Sequence, residues 1–153
     1  MKRLVEILCL IALVARASSA QTAAPSAERM RAIALRVSAL ELRRQLTSAT
    51  PATVDSLLSL YTDSVVYEHP NAGAIVRGKD VMRSAMADYI GSVRNVRADP
   101  TRVTVGHGMA IVETNVRMDV KDGTKWVPVT RHGLRVIEFD TRGLVRRIID
   151  YPW

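Results

Sequence analysis

Five side chains in this sequence have the types and spacing to do acid–base chemistry. Tyr67 and His69 stand two apart in Val65-Val66-Tyr67-Glu68-His69-Pro70, so on a strand they share a face with Val65. A phenol beside an imidazole that exchanges a proton near neutral pH, with a valine below, describes a pocket that is apolar in its depth and polar at its mouth. The same pair could also end a strand with solvated tips. Arg117 and Asp119 repeat the spacing and share a face with Glu113 and Asn115. Turned inward, the arginine would hold the carboxylate ionised and fix its direction. Turned outward, the two would form a surface pair worth ~1 kcal/mol or less. Asp150 follows Ile148-Ile149 and precedes Tyr151, an acid in an otherwise apolar terminal strand. Carboxylates are seldom buried without a partner. Asp150 is therefore either paired in a pocket or in water near the end of the chain.

The elements that must position these residues follow from periodicity. Met30, Ile33, Val37, Leu40 and Leu46 recur at threes and fours, which predicts a helix over 28–47. Thr50-Pro51 is a start signal for a short helix to about Leu60. A strand over 65–69 stops at Pro70-Asn71-Ala72-Gly73. A helix from Lys79 to about Val93 would bury Val81, Met82, Ala85, Met86, Tyr89 and Ile90. Everything after it reads as sheet: a strand over 94–105 interrupted at Asp99-Pro100, a turn at 106–108 and a long strand over 109–120. The Asp122-Gly123 hairpin signal, a strand over 125–139, a turn at 140–143 and a last strand over 144–151 follow. Helices first and a run of antiparallel strands after them make an α+β pattern. Val65, Met86, Tyr89 and Trp126 are the expected substrate-binding residues of a cavity between the layers, although core packing would also account for most of them.

Composition narrows the function further. Lys2 and Arg3, nine unbroken apolar residues from Ile7 to Ala15, and small residues through Ala20 read as a signal peptide over 1–20. That run is too short to span a bilayer, which takes about 20 residues. The expected product is an exported protein, periplasmic or secreted, with a loose leader over 21–27 and one domain over 28–153. It would have no membrane attachment once the signal is removed. Cys9 lies inside the apolar run and is the single cysteine, so the mature chain would have neither a disulfide nor a thiol nucleophile. The formal charge is +7. The basic residues are scattered among acids without an aromatic platform, which speaks against nucleic acid as a partner. His107 and His132 are isolated, no carboxylate or histidine cluster has metal-ligand spacing, and no phosphate-cradling glycine loop or nucleophile elbow occurs. Neither a metal nor another cofactor is expected.

The fragments Arg117-Met118-Asp119, Asp140-Thr141-Arg142-Gly143 and Ile148-Ile149-Asp150-Tyr151, with Val65–Pro70 and Arg77-Gly78-Lys79 upstream, resemble the nuclear transport factor 2-like superfamily, also called SnoaL-like. The resemblance covers about residues 35–153. It implies a cone in which a curved sheet and N-terminal helices enclose a pocket, an α+β barrel that binds a small apolar molecule. Within the superfamily the motifs are similar to those of limonene epoxide hydrolase. That likeness implies Asp150 as base, Asp119 as acid, Arg117 as the bridge between them, and Tyr67 with His69 holding a water. His69 stands where that family has Asn, and Ile148-Ile149 where it commonly has Trp-Arg. A second branch, ketosteroid isomerase, would put His69 and Arg135 at its acid–base positions, and SnoaL-type polyketide cyclases are a third precedent. The resemblance thus implies cofactor-free hydrolase or isomerase chemistry, or else a non-catalytic module that binds a ligand or a protein. A homodimer through the outer sheet face, using Leu134 and Val136, is a further expectation.

Overall fold

The computed structural model describes residues 24–152. The expected signal peptide lies outside the described residues. Helix α1 (Ala27–Arg43) starts at Ser26, whose hydroxyl accepts from the Arg29 N–H at 3.2 Å, a side-chain N-cap. Met30, Ala34, Val37, Ser38 and Glu41 form its buried stripe. Helix α2 (Pro51–Leu58) begins at the Thr50-Pro51 signal and buries Val54, Leu57 and Leu58. Strand β1 (Tyr61–His69) ends in a short 3-10 turn (Pro70–Ala72), and strand β2 (Ala74–Arg77) folds back on it. Helix α3 (Lys79–Ala87) precedes strands β3 (Val93–Gly106), β4 (Met109–Asp122), β5 (Lys125–Phe139) and β6 (Val145–Pro152).

The strands make one curved sheet in the order β2-β1-β6-β5-β4-β3. Pairing is antiparallel except between β1 and β6, which run parallel. The architecture is the α+β cone that the sequence predicts, with four departures. β1 starts at Tyr61 rather than at Val65, because Tyr61 already pairs with Val145 of β6, ahead of a register shift before Val66. β2 was not anticipated. Gly73, with φ of 63°, reverses the chain within four residues of the strand end, and so short a strand carries little periodicity. α3 stops at Ala87, so Tyr89 lies beyond the helix, and Val81 is exposed on its outer side. The parallel β1/β6 contact joins strands remote in sequence, which local patterning does not report.

The core lies between the helices and the inward face of the sheet. Val37, Leu57, Leu58, Tyr61, Val65, Val112, Ile137, Val145 and Ile148 are at most 2% exposed. Each buried side chain of this size contributes roughly 1.5–3 kcal/mol relative to exposure. The turn into β6 is tied to α1. Asp140 accepts from the Leu144 N–H at 2.8 Å and the Arg142 N–H at 3.0 Å, and Arg29 donates to the Arg142 carbonyl at 3.2 Å. Gly143 has φ of 85° and packs against Arg29, where a Cβ would come within 3.3 Å of Nε. This is a backbone conformation and an approach that favour glycine. The turn sets where β6 begins, and hence where Asp150 falls.

Candidate functional site

A cavity of about 530 Å³ opens among α1, α3, β1, β2 and the inward faces of β4, β5 and β6. That is the size range of small-molecule sites, roughly 300–1,000 Å³. Leu42, Val76, Met82, Met86, Val116 and Met118 give it apolar walls. Its polar side is built from two hydrogen-bonded groups.

The first group centres on Asp150. Strands β5 and β6 put Arg135 and Asp150 directly opposite each other. Arg135 Nη2 donates to Asp150 Oδ2 at 2.6 Å, and the Tyr67 hydroxyl donates to the same oxygen at 2.9 Å. Burial pushes the Asp150 carboxyl up, but the charge and hydrogen bond of Arg135, with help from Tyr67 and His69, outweigh it and hold the group below its ordinary value. Asp150 is therefore an anion at neutral pH. Burial raises the Tyr67 phenol well above its usual range, and Glu41 and Asp150 add to the rise, so Tyr67 keeps its proton and acts as a donor. Burial works against the Arg135 charge, yet Tyr67, Asp150 and Glu41 together raise its pKa. The His69 ring stands 4.9 Å from the Tyr67 ring, tilted by 54°, at the end of β1 and in the cavity lining.

The second group was not singled out from sequence. Glu41, 1% exposed, accepts from the Tyr61 hydroxyl at 2.9 Å and from Arg44 Nε at 2.8 Å. Burial and Glu41 raise the Tyr61 phenol well above its ordinary value. Glu41 and Arg44 both line the cavity. The signal was present, since Glu41 lies four residues after Val37 on the apolar stripe of α1, and a charge on such a stripe needs a partner.

The remaining expected site residues divide. Met86 lines the cavity, as does Tyr89, which is 57% exposed at its rim. Val65 is fully buried in the core beneath Tyr67 and is not a lining residue. Trp126 lies on the outer face under the Arg94 guanidinium, 4.5 Å from its ring centre. Arg117 and Asp119 also face outward. Strand alternation turns Val112, Thr114, Val116 and Met118 toward the cavities, which leaves Glu113, Asn115, Arg117 and Asp119 on the opposite side. Asp119 accepts there from Asn95 Nδ2 at 2.7 Å and Arg94 Nε at 3.2 Å. The arginine beside Asp150 is thus Arg135 and not Arg117, and no second pocket acid comes from β4. Among the described residues no three His, Cys, Asp or Glu side chains gather as metal ligands.

The lowered Asp150 pKa has a measurable consequence. A carboxyl whose folded value lies below its unfolded value stabilises the fold above the unfolded value, and that contribution is lost as pH falls through the folded one. The stability gap between wild type and Asp150→Asn should therefore be full above about pH 5 and narrow below about pH 4. Urea unfolding of both proteins across this range checks it. A gap that widens on acidification would contradict the lowered value.

Residues 42–148 match the family model for the SnoaL-like domain. No curated protein matches the sequence. Among solved structures, a candidate ketosteroid isomerase from Kribbella flavida DSM 17836 is similar at TM-score 0.59 and 21% identity, over 83% of this chain and 79% of that one. A candidate SnoaL-like polyketide cyclase from Shewanella putrefaciens CN-32 aligns at TM-score 0.65 and 11% identity, over 80% and 88% of the two chains. A protein of ketosteroid isomerase-like fold from Catenulispora acidiphila DSM 44928, in complex with trimethylamine, aligns at TM-score 0.55 and 16% identity, over 69% and 76%. At such identities the structures show a shared fold. The match to the family model over residues 42–148, most of the chain, shows that this chain belongs to the SnoaL-like domain family.

Proposed function

We propose that this domain binds a small, largely apolar molecule in its cone and performs cofactor-free acid–base chemistry on it, of the isomerisation or water-addition type, epoxide hydration included. The observation that carries the reading is the Tyr67–Asp150–Arg135 group set into the polar side of an otherwise apolar cavity of about 530 Å³. The roles follow from the electrostatics. Tyr67 stays protonated and donates. Asp150 stays ionised and accepts. Imidazole is the side chain suited to gain and lose a proton near neutral pH, so His69, beside the Tyr67 ring in the cavity lining, is the group for proton exchange while Asp150 holds a water. Neighbours of the same fold described as isomerase and cyclase support this class of chemistry.

One observation favours the alternative, a binding module without turnover. Arg135 lowers the Asp150 pKa, and a carboxylate stabilised in this way is a weaker base. We also propose that residues 1–20 direct export, and that copies pair through the outer sheet face around Leu134 and Val136, two apolar side chains set in the middle of that face on β5.

Thermal-shift screening against terpenoid epoxides, steroids and aromatic polyketides should give stabilisation by apolar molecules bearing one or two oxygens. Stabilisation only by nucleotides would overturn the ligand class. In a turnover assay on the compounds that bind, Asp150→Asn should stay folded and keep affinity while losing roughly 10²–10⁴-fold in rate. Full activity in Asp150→Asn would falsify the catalytic role. Absence of turnover in wild type across binding epoxides and ketones decides for the module.

Export has its own test. Mass spectrometry of the protein from its native host should find an N-terminus near Ser18 or Gln21, and an intact chain from Met1 in the cytosol would contradict export.

A further inference from the structure

Gly133 stands where neither the backbone nor the packing asks for a glycine. It lies inside the 15-residue strand β5, and its φ is not positive. The β4/β5 register runs through it without a shift, so it marks no bulge. Its pairing with Thr114 puts it on the inward face of the sheet, the face of Arg135. A Cβ at this position would have no heavy atom within 4 Å, its chain neighbours aside. Glycine inside a strand weakens it, because it packs no side chain and loses more backbone freedom on folding. What the strand gains at this inward position is empty space.

That space is a side chamber of about 70 Å³ beside Asp150. Leu42, Val112 and Val116 give it apolar walls, and Thr114 faces Gly133 across it. The chamber is continuous with the main cavity, since Leu42, Val116, Gly133 and Asp150 line both. Asp150 and Arg135 at its edge are already bonded to each other, and the Ser38 oxygen is buried out of a ligand's reach. A polar group entering the chamber would give up water for few partners, whereas an alkyl group would give up nothing. An apolar cavity of about 150 Å³ holds a benzene, so a chamber of about 70 Å³ has room for about two or three carbons.

We propose that the ligand carries a short alkyl branch on the carbon that bears its polar oxygen, that this branch enters the side chamber when the oxygen sits at the Tyr67–Asp150 group, and that Gly133 sets the size of branch accepted. This rests on the small-molecule reading above and adds a substituent to it. The test uses 2-naphthyl carbinols, whose hydroxyl can donate to Asp150 and whose second carbon substituent is methyl, ethyl, isopropyl or phenyl. Each enantiomer is titrated calorimetrically and the tighter one compared. Wild type should gain about two- to fourfold in affinity per carbon from methyl to isopropyl and lose about tenfold from isopropyl to phenyl, which overfills the chamber. Larger alkyl groups partition better into any apolar site, so the variants carry the decision. Gly133→Ala puts one methyl group into the chamber. It should fold as well as wild type, bind the methyl carbinol equally and bind the isopropyl carbinol about tenfold more weakly. Thr114→Ser removes a methyl group from the facing wall and should raise binding of the phenyl carbinol relative to the methyl one. Should Gly133→Ala fail to fold, the wild-type series and Thr114→Ser decide. Carbinols that bind in an order left unchanged by the variants that fold would overturn the chamber as a subsite and leave the small-molecule reading standing. Binding of none of the four would count against both inferences.

Discussion

Arg135 and Asp150 face each other across β5 and β6, and the 2.6 Å contact between them is what allows an ionised carboxylate in this interior. Burial alone would drive Asp150 toward its neutral form, and removing one partner of such a pair typically costs about 3–5 kcal/mol, because the other is left as an uncompensated charge. The pair fixes more than charge. Asp150 Oδ2 takes both Arg135 and Tyr67, so three strands, β1, β6 and β5, meet at one oxygen atom. Tyr67 in turn keeps its proton because that oxygen is anionic and the site is buried. A pocket that must handle polar atoms in an apolar cone is thereby supplied with a defined acceptor and a defined donor.

The same logic recurs at Glu41, where Tyr61 and Arg44 surround a second buried carboxylate. Glu41 also acts on Tyr67 and Arg135 through space, so the two groups form one electrostatic unit spanning α1 and the sheet. The unit depends on where its elements start and stop. The Asp140–Leu144 turn, pinned to Arg29, sets the beginning of β6. The residues after α1 pair with the start of β3 through Leu46 and Val93, which keeps Arg44 at the cavity wall.

The fold was legible because its signals are local. The Thr50-Pro51 cap, the Asp122-Gly123 hairpin and the alternation of Val112, Val116 and Met118 each report the geometry around them. Tyr67, His69 and Asp150 could be picked out for the same reason, as polar residues at set positions in apolar strands. The outward aim of Arg117 and Asp119 was also encoded, since the inward positions of β4 include Val112, Val116 and Met118 and none of its charged residues, but a motif likeness pointed the other way. Arg135 as the partner of Asp150 was not legible. The β5/β6 register shifts between Glu138 and Phe139, and one residue of shift exchanges inward for outward along a whole strand. Glu41 and Arg44 depend on a tertiary contact with Tyr61 that no local pattern shows.

Arg135 keeps Asp150 ionised inside the cavity. The most direct measurement is a titration of the Asp150 carboxyl carbon by nuclear magnetic resonance, in wild type and in Arg135→Met. The wild-type midpoint is expected below the ordinary aspartate value of about 3.9, with an upward shift in Arg135→Met, where burial acts without the counter-charge. A wild-type midpoint at or above the ordinary value, or one that the substitution leaves unmoved, would contradict it.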